Sequence, residues 1–495
     1  MSVPSTEPKG MFDDKEKAGS FDSPATPMDT DATLNTLQRV RTADAAHPVH
    51  WSGLKKWTII TIYCALQVFV TITSTSYVSA EFLVQEKFNK STQIVTLGQS
   101  MFILGNAIGP AFLGPLSDIG GRKWVYVISI LLFAILNIGT ALARNMAMLI
   151  IFQFLCGAAG STALSNVAGT IADLYGDADN AGQPMALFVF AANCGPSLGS
   201  PIGEWIADNP HMGLNWIFWI NVIIGGAFSL GMCFVPETLP RIVIRDAVRK
   251  HQVNDSEEIA ISEERIDVVR EMRFVTTMAL RIMCTEPIVI FLAIYNGFAY
   301  GLLFLYLDGV FDVFVVNNGL SYIGADLTYL NFIVGVTVMF LFVPVQTYFF
   351  TRDRQSNGGT PRPEARFLTS LVCVWLFPVS LLWFAFTCSG NTSFWSPVVA
   401  GGVLGFCDPL LYLAMLNYIT DVYTNVAASA IAAFLIPSFG LAAAFAHIGI
   451  VMFDNMSAKW AMATLGFVSF GLVALVYVLY FFGPRIRSWS KLAKH

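Results

Sequence analysis

The sequence predicts an all-α polytopic membrane protein, with twelve transmembrane helices in two six-helix halves. Three observations carry this. Of 495 residues, 55% are hydrophobic and only 13% charged, about half the roughly 25% charged share of a soluble domain. The apolar residues gather into twelve runs of about twenty, the length that crosses a bilayer core as a helix. The cations alternate strongly between the segments joining those runs.

Taken in order, residues 1–50 are polar and rich in Ser, Thr, Asp and Pro. They lack the apolar stretch of a signal peptide and are expected to form a disordered cytosolic tail. The predicted spans are 57–79, 94–114, 124–142, 147–174, 184–206 and 214–235, giving a first bundle over 51–235. A polar cytosolic loop is expected over 236–286. Spans 287–311, 321–349, 367–388, 397–420, 426–450 and 460–482 form a second bundle over 287–483, and a short cytosolic tail, 484–495, follows.

Charge sets the expected orientation. If the N-terminus is cytosolic, 25 of the 29 Lys and Arg fall in inner segments, and only Lys87, Lys90, Arg144 and Lys459 fall outside. Cytosolic loops of membrane proteins carry this excess, so both termini are expected inside. The inner loop around Asp177 and Asp179 carries no cation and runs against the trend. Three sequons fall in predicted outer loops and make Asn89, Asn391 and Asn455 glycosylation candidates, whereas Asn254 lies in the cytosolic loop. The eight Cys show no metal spacing, and no metal or cofactor is expected. With a net charge of −5 and no basic stripe, nucleic acid is not an expected partner. No nucleophile motif or His cluster suggests an enzyme.

Two short stretches carry mechanism. Between spans 2 and 3 the chain reads Gly114-Pro-Leu-Ser-Asp118-Ile-Gly-Gly121-Arg122-Lys123. The glycines permit a tight turn, and Asp118 can pair with a cation or a helix N-terminus. Span 5 reads Gly195-Pro196-Ser-Leu-Gly199-Ser-Pro-Ile-Gly203-Glu204. Such Gly and Pro density kinks a membrane helix and permits close helix contact.

The first stretch closely resembles the inner-loop signature of the major facilitator superfamily, where it forms a charge-linked latch stabilising the outward-facing state. The second resembles the antiporter motif of its proton-coupled exporters. Further matches are His47-Pro-Val-His-Trp51, Gly109-Pro110, Pro236-Glu237-Thr238, Glu286-Pro287, Tyr300-Gly301, Asn417-Tyr-Ile-Thr-Asp421, Ala428-Ser429-Ala430 and Gly483-Pro-Arg-Ile-Arg487. Together, over residues 47–493, they resemble the fungal twelve-span drug:proton antiporter branch, whose members export drugs, polyamines and metabolites. Gln153 and Ala181 stand where that branch usually has Arg, and Phe434–Ser438 contains none. The Arg at the first of these positions is associated with proton coupling.

No Lys or Arg falls inside a predicted span, so the charges at membrane depth are acidic. Asp408, between Cys407 and Pro409 halfway along span 10, stands out. A carboxyl group there binds and releases a proton, pairs with a cationic substrate, or serves structurally beside the Pro kink. Asp308, nearer the outer end of span 7, is the second candidate, for cation attraction or gating. Asp173, Glu204 and Asp326 lie near span ends and read as structural. Gln67, Asn166, Asn296, Tyr300 and Tyr412 fall on spans that line the cavity in the family resembled, and are cavity candidates.

The resemblance implies a major facilitator fold and export of a drug, polyamine or secondary metabolite by alternating access, with protons moving the other way. The expected partners are a small-molecule substrate, protons and the bilayer, and the expected state is a monomer in the cell membrane. Alternatives are a metabolite exporter or uniporter without strict proton coupling, acting on organic acids or glycolipids, and a transporter-like receptor.

Overall fold

In lipid, a backbone amide has no water to bond, so each apolar run must satisfy its own amides as a helix. The computed structural model describes residues 46–176, 181–251, 268–359, 362–490 and 492. The expectations for residues 1–45, for Asp177 and Asp179, and for Asn254 lie outside them. Among the described residues twelve helices are long and apolar enough to cross a membrane. Spans 1 to 6 are Gly53–Phe88, Thr92–Gly120, Arg122–Ala141, Met146–Tyr175, Gly182–Ala207 and Leu214–Met232. Spans 7 to 12 are Pro287–Leu307, Tyr322–Ser356, Ser370–Thr387, Trp395–Val422, Ser429–Asn455 and Ala458–Arg487.

The edges differ from expectation where polar residues continue a helix. Span 1 runs on through a tight turn at Val78–Ala80 into Glu81–Phe88, a polar stretch that hydropathy alone leaves outside. Part of the expected 236–286 loop is also helical. Pro240–His251 and Val268–Thr285 are amphipathic helices. In the second, Val275, Ala279 and Ile282 recur at helical spacing and are buried against the end of span 2 and against span 11.

Packing repeats at an offset of six. In the first half span 1 packs on 5, 2 on 4 and 3 on 6; in the second, 7 packs on 11, 8 on 10 and 9 on 12. The halves meet along two seams that are equivalent under the same offset, span 2 on 11 and span 5 on 8. This internal repeat places a shared site at the half interface near mid-membrane. We call the side bearing the Gly121 turn, the two amphipathic helices and Arg362 the basic face, and the other side the far face. Hydrogen bonds joining the halves, Ser79 to Asp326 and Ser100 to His447, lie toward the far face. Toward the basic face the halves part around a vestibule of about 450 Å³.

Candidate functional site

A central cavity of about 40 Å³ lies where spans 1, 2, 4, 5, 7, 10 and 11 converge. Span 1 contributes Gln67, span 7 Asn296 and Tyr300, and span 10 Asp408 and Tyr412. The structure thus brings five of the residues singled out in the sequence to one wall-lined space. The cavity also takes Asn106, Asn193 and Phe439, of which Asn106 and Phe439 carried no signal in the sequence beyond falling in apolar runs. Tyr300 stands edge-on to Phe439, 5.0 Å between ring centres. Gln67 Oε1 and Asn106 Oδ1 are buried with no hydrogen-bond partner among the described residues. Asp408 also borders a second void, of about 10 Å³, toward span 8. Among the described residues, the side chains lining the cavity beside it are neutral, and none is hydrogen-bonded to its carboxylate. A charged carboxylate at this depth costs about 2.5–3.5 kcal/mol on insertion scales, a cost that a bound proton or a neighbouring cation lowers. Among the described residues, no Lys, Arg or His lines the cavity.

The vestibule lies toward the basic face and holds Asn166, Gly114, Asp118 and Arg122 on one wall. Asn166 is therefore set below the central cavity rather than in it, and its Nδ2 has no partner among the described residues. The turn between spans 2 and 3 depends on Gly121, whose φ of +99° favours glycine. Arg122 is buried, with Nη1 2.6 Å from Asp118 Oδ1 and Nε 2.9 Å from Asp173 Oδ2 on span 4. The backbone amides of Arg122 and Lys123 donate to Glu237 at 2.9 and 3.2 Å. The amides of Thr238 and Leu239 donate to the same carboxylate. Glu237 therefore satisfies the open N-terminus of span 3. These contacts join the first half to the start of the segment that follows it, and none reaches the second half.

The second half carries a counterpart on the facing wall. Arg366 Nε lies 2.8 Å from Asp421 Oδ2 at the end of span 10, with its guanidinium 3.8 Å from the centre of the Phe350 ring. Arg487 Nε lies 2.9 Å from Glu364, and Tyr423 donates to Glu286 at 2.9 Å. The sequence flagged Asp421, Glu286 and Arg487 as motif members but gave them no partners. The signal for Arg366 was positional only: it precedes span 9 as Arg122 opens span 3.

The span 5 stretch packs rather than lines. A side chain at Gly199 would reach within 2.5 Å of Ile72 O, and one at Gly203 within 2.5 Å of Ser76 O, both on span 1. Gly195 meets Val68 O at 2.7 Å in the same sense. Thr75 donates to Pro196 O at 2.9 Å, a further bond between spans 1 and 5. Asp308 lies on the span 7 helix, and its side chain lies outside the described ones. Gln153 is buried in span 4, its Oε1 without a partner among the described residues. Asn89, Asn391 and Asn455 are all exposed on the far face.

Two six-helix halves meeting around a central cavity are the architecture of a secondary transporter. Residues 63–446 match the family model described as Major Facilitator Superfamily. The chain belongs to this superfamily and is a membrane transporter, not an enzyme. It is 42% identical to vitamin B6 transporter bsu1 of Schizosaccharomyces pombe over 90% of this chain and 84% of that one. It is 29% identical to the citrinin biosynthesis cluster transporter mrr1 of Monascus ruber, over 94% and 98% of the two chains. Among solved structures, the proton:xylose symporter XylE shares the fold, with a TM-score of 0.62 at 16% identity, over 87% of this chain and 96% of that one.

Proposed function

We propose that the protein couples the passage of a small, uncharged or cationic organic molecule to protons exchanged at Asp408, by antiport across the cell membrane. The observation that carries this is the unpaired Asp408 carboxylate, on the wall of the cavity between the halves. That no cation lines the cavity among the described residues disfavours an anionic substrate. Export is supported by the span 5 resemblance and by relatives in metabolite clusters. A second reading, transport of a compound of the vitamin B6 kind, is favoured by the 42% identical relative that bears that name. The flat rings of Tyr300, Tyr412 and Phe439, interleaved with carboxamides, suit a small hydroxylated heterocycle.

The test uses the purified protein in proteoliposomes, with labelled pyridoxine as first probe and a panel of amines and fungal metabolites after it. Asp408→Asn keeps size and hydrogen bonding but cannot ionise. It is expected to abolish accumulation driven by a pH gradient while sparing exchange at equal pH. Loss of both would make Asp408 a substrate ligand rather than the proton carrier. Normal transport with normal pH dependence would sink the proposal.

A further inference from the structure

At the far-face end of the seam between spans 2 and 11, His447 of span 11 meets polar side chains of span 2. Its Nε2 lies 2.8 Å from Ser100 Oγ and its Nδ1 lies 2.9 Å from Gln93 Oε1. Gln93 Nε2 also reaches the His447 carbonyl at 3.4 Å, and Ser100 Oγ reaches the Ala443 carbonyl at 3.4 Å. With Gln93 placed so, its carboxamide oxygen only accepts, so Nδ1 carries the ring proton and Nε2 accepts from Ser100. Both ring nitrogens are thus bonded to the opposite half.

His447 lines neither the central cavity nor the vestibule. Span 7 packs elsewhere on span 11, where Phe445 and Phe453 face Gly301 and Gly309. In this conformation the ring borders neither space, and its side-chain partners are on span 2. An imidazole within a membrane helix is costly without partners, and here its side-chain partners belong to the other half. Those bonds exist only while the far face is shut, because opening that face must draw span 2 away from span 11.

We propose that His447, with Gln93 and Ser100, is a clasp that holds the far face closed and must part once in every transport cycle. His447 is then a positioning residue of transport: it selects between conformations without touching solute. The inference rests on alternating access, which the superfamily uses, and holds whether or not Asp408 carries a proton.

Two experiments on the full chain test it, with the exposed native Cys284 replaced by Ser. In the first, Gln93→Cys and His447→Cys are combined and oxidised. Cross-linking is expected to stop transport, and reduction to restore it. Complete cross-linking with undiminished transport would overturn the proposal. In the second, His447→Ala is combined with Ser79→Cys, which reports the far face, or with Asn417→Cys in the vestibule. Losing two neutral hydrogen bonds at about 1 kcal/mol each corresponds to about a thirtyfold shift in population. Thiol labelling at 79 is expected to rise by about that factor while labelling at 417 falls. A purely structural histidine would raise or lower both together, and unchanged labelling at both sites would equally refute the clasp. His447→Gln, which keeps an amide within reach of Ser100, is expected to fall between the wild type and His447→Ala, and stands in should His447→Ala fail to fold.

Discussion

At the scale of single residues, the latch shows how burial sorts two carboxylates that a motif would treat alike. Arg122 is nearly enclosed and needs both partners, yet Asp118 has a side chain 45% exposed and Asp173 one only 15% exposed. An exposed ion pair contributes about 0–1 kcal/mol, whereas removing one partner of a buried pair costs about 3–5 kcal/mol. Asp118→Asn is therefore expected to leave thermal unfolding of the purified protein nearly unchanged while cutting transport more than tenfold. Asp173→Asn is expected to lower the unfolding temperature as well. Equal destabilisation by both, with normal transport, would reduce the stretch to a turn. The sequence displayed Asp118 and Arg122 because they share a contiguous pattern. Asp173 was invisible as a partner because it lies on another span, and only folding brings it within 2.9 Å. Glu237 was visible as part of a Pro-Glu-Thr match, but its capping of span 3 depends on two loops meeting at the basic face. Asp408 was legible because a carboxylate in an apolar run is anomalous in any arrangement.

At the scale of elements, the glycines divide into those the present packing requires and those it does not. Gly199 sits where span 5 touches span 1, and any side chain there would press on the Ile72 carbonyl. Backbone cannot rotate aside as a side chain can, so Gly199→Val must force the two spans apart, a strain of about 1–3 kcal/mol or more. Its unfolding temperature and its yield from the membrane are expected to drop. Gly114, by contrast, has nothing within 4 Å of the place a side chain would occupy. Gly114→Ala is expected to unfold like the wild type and yet transport more slowly, because the vestibule wall it belongs to must meet the other half when the basic face closes. Normal transport by Gly114→Ala would show that no close approach occurs there at any stage. The spans themselves were legible because length and hydropathy decide them. The helices Pro240–His251 and Val268–Thr285 were not, since their charged residues outweigh a narrow apolar stripe in any average. Only the spacing of Val275, Ala279 and Ile282 betrays the second one.

At the scale of the whole molecule, orientation and conformation combine into one prediction. The basic face carries Arg122, Lys123, Arg366, Arg485 and Arg487 together with the amphipathic helices and their arginines, and the far face carries Lys87, Lys90, Arg144 and Lys459. Translocation of basic loops is disfavoured during insertion, so the basic face is expected to lie in the cytosol. The three exposed sequon asparagines sit on the other side, consistent with that assignment. Because the vestibule opens toward the basic face, the state described here would be the inward-facing one. A glycosylation acceptor fused after His495 is then expected to remain unmodified in intact cells. An impermeant thiol reagent is expected to reach Asn417→Cys in inside-out vesicles and not in sealed cells. The two readouts separate two errors. A modified C-terminal tag would invert the topology, and with it the direction assigned to every step of transport. An unmodified tag with Asn417→Cys labelled only from outside would keep the topology but place the resting protein in the opposite conformation. Charge distribution alone governs the first outcome, while the balance between the contacts that close the far face and those that would close the vestibule governs the second.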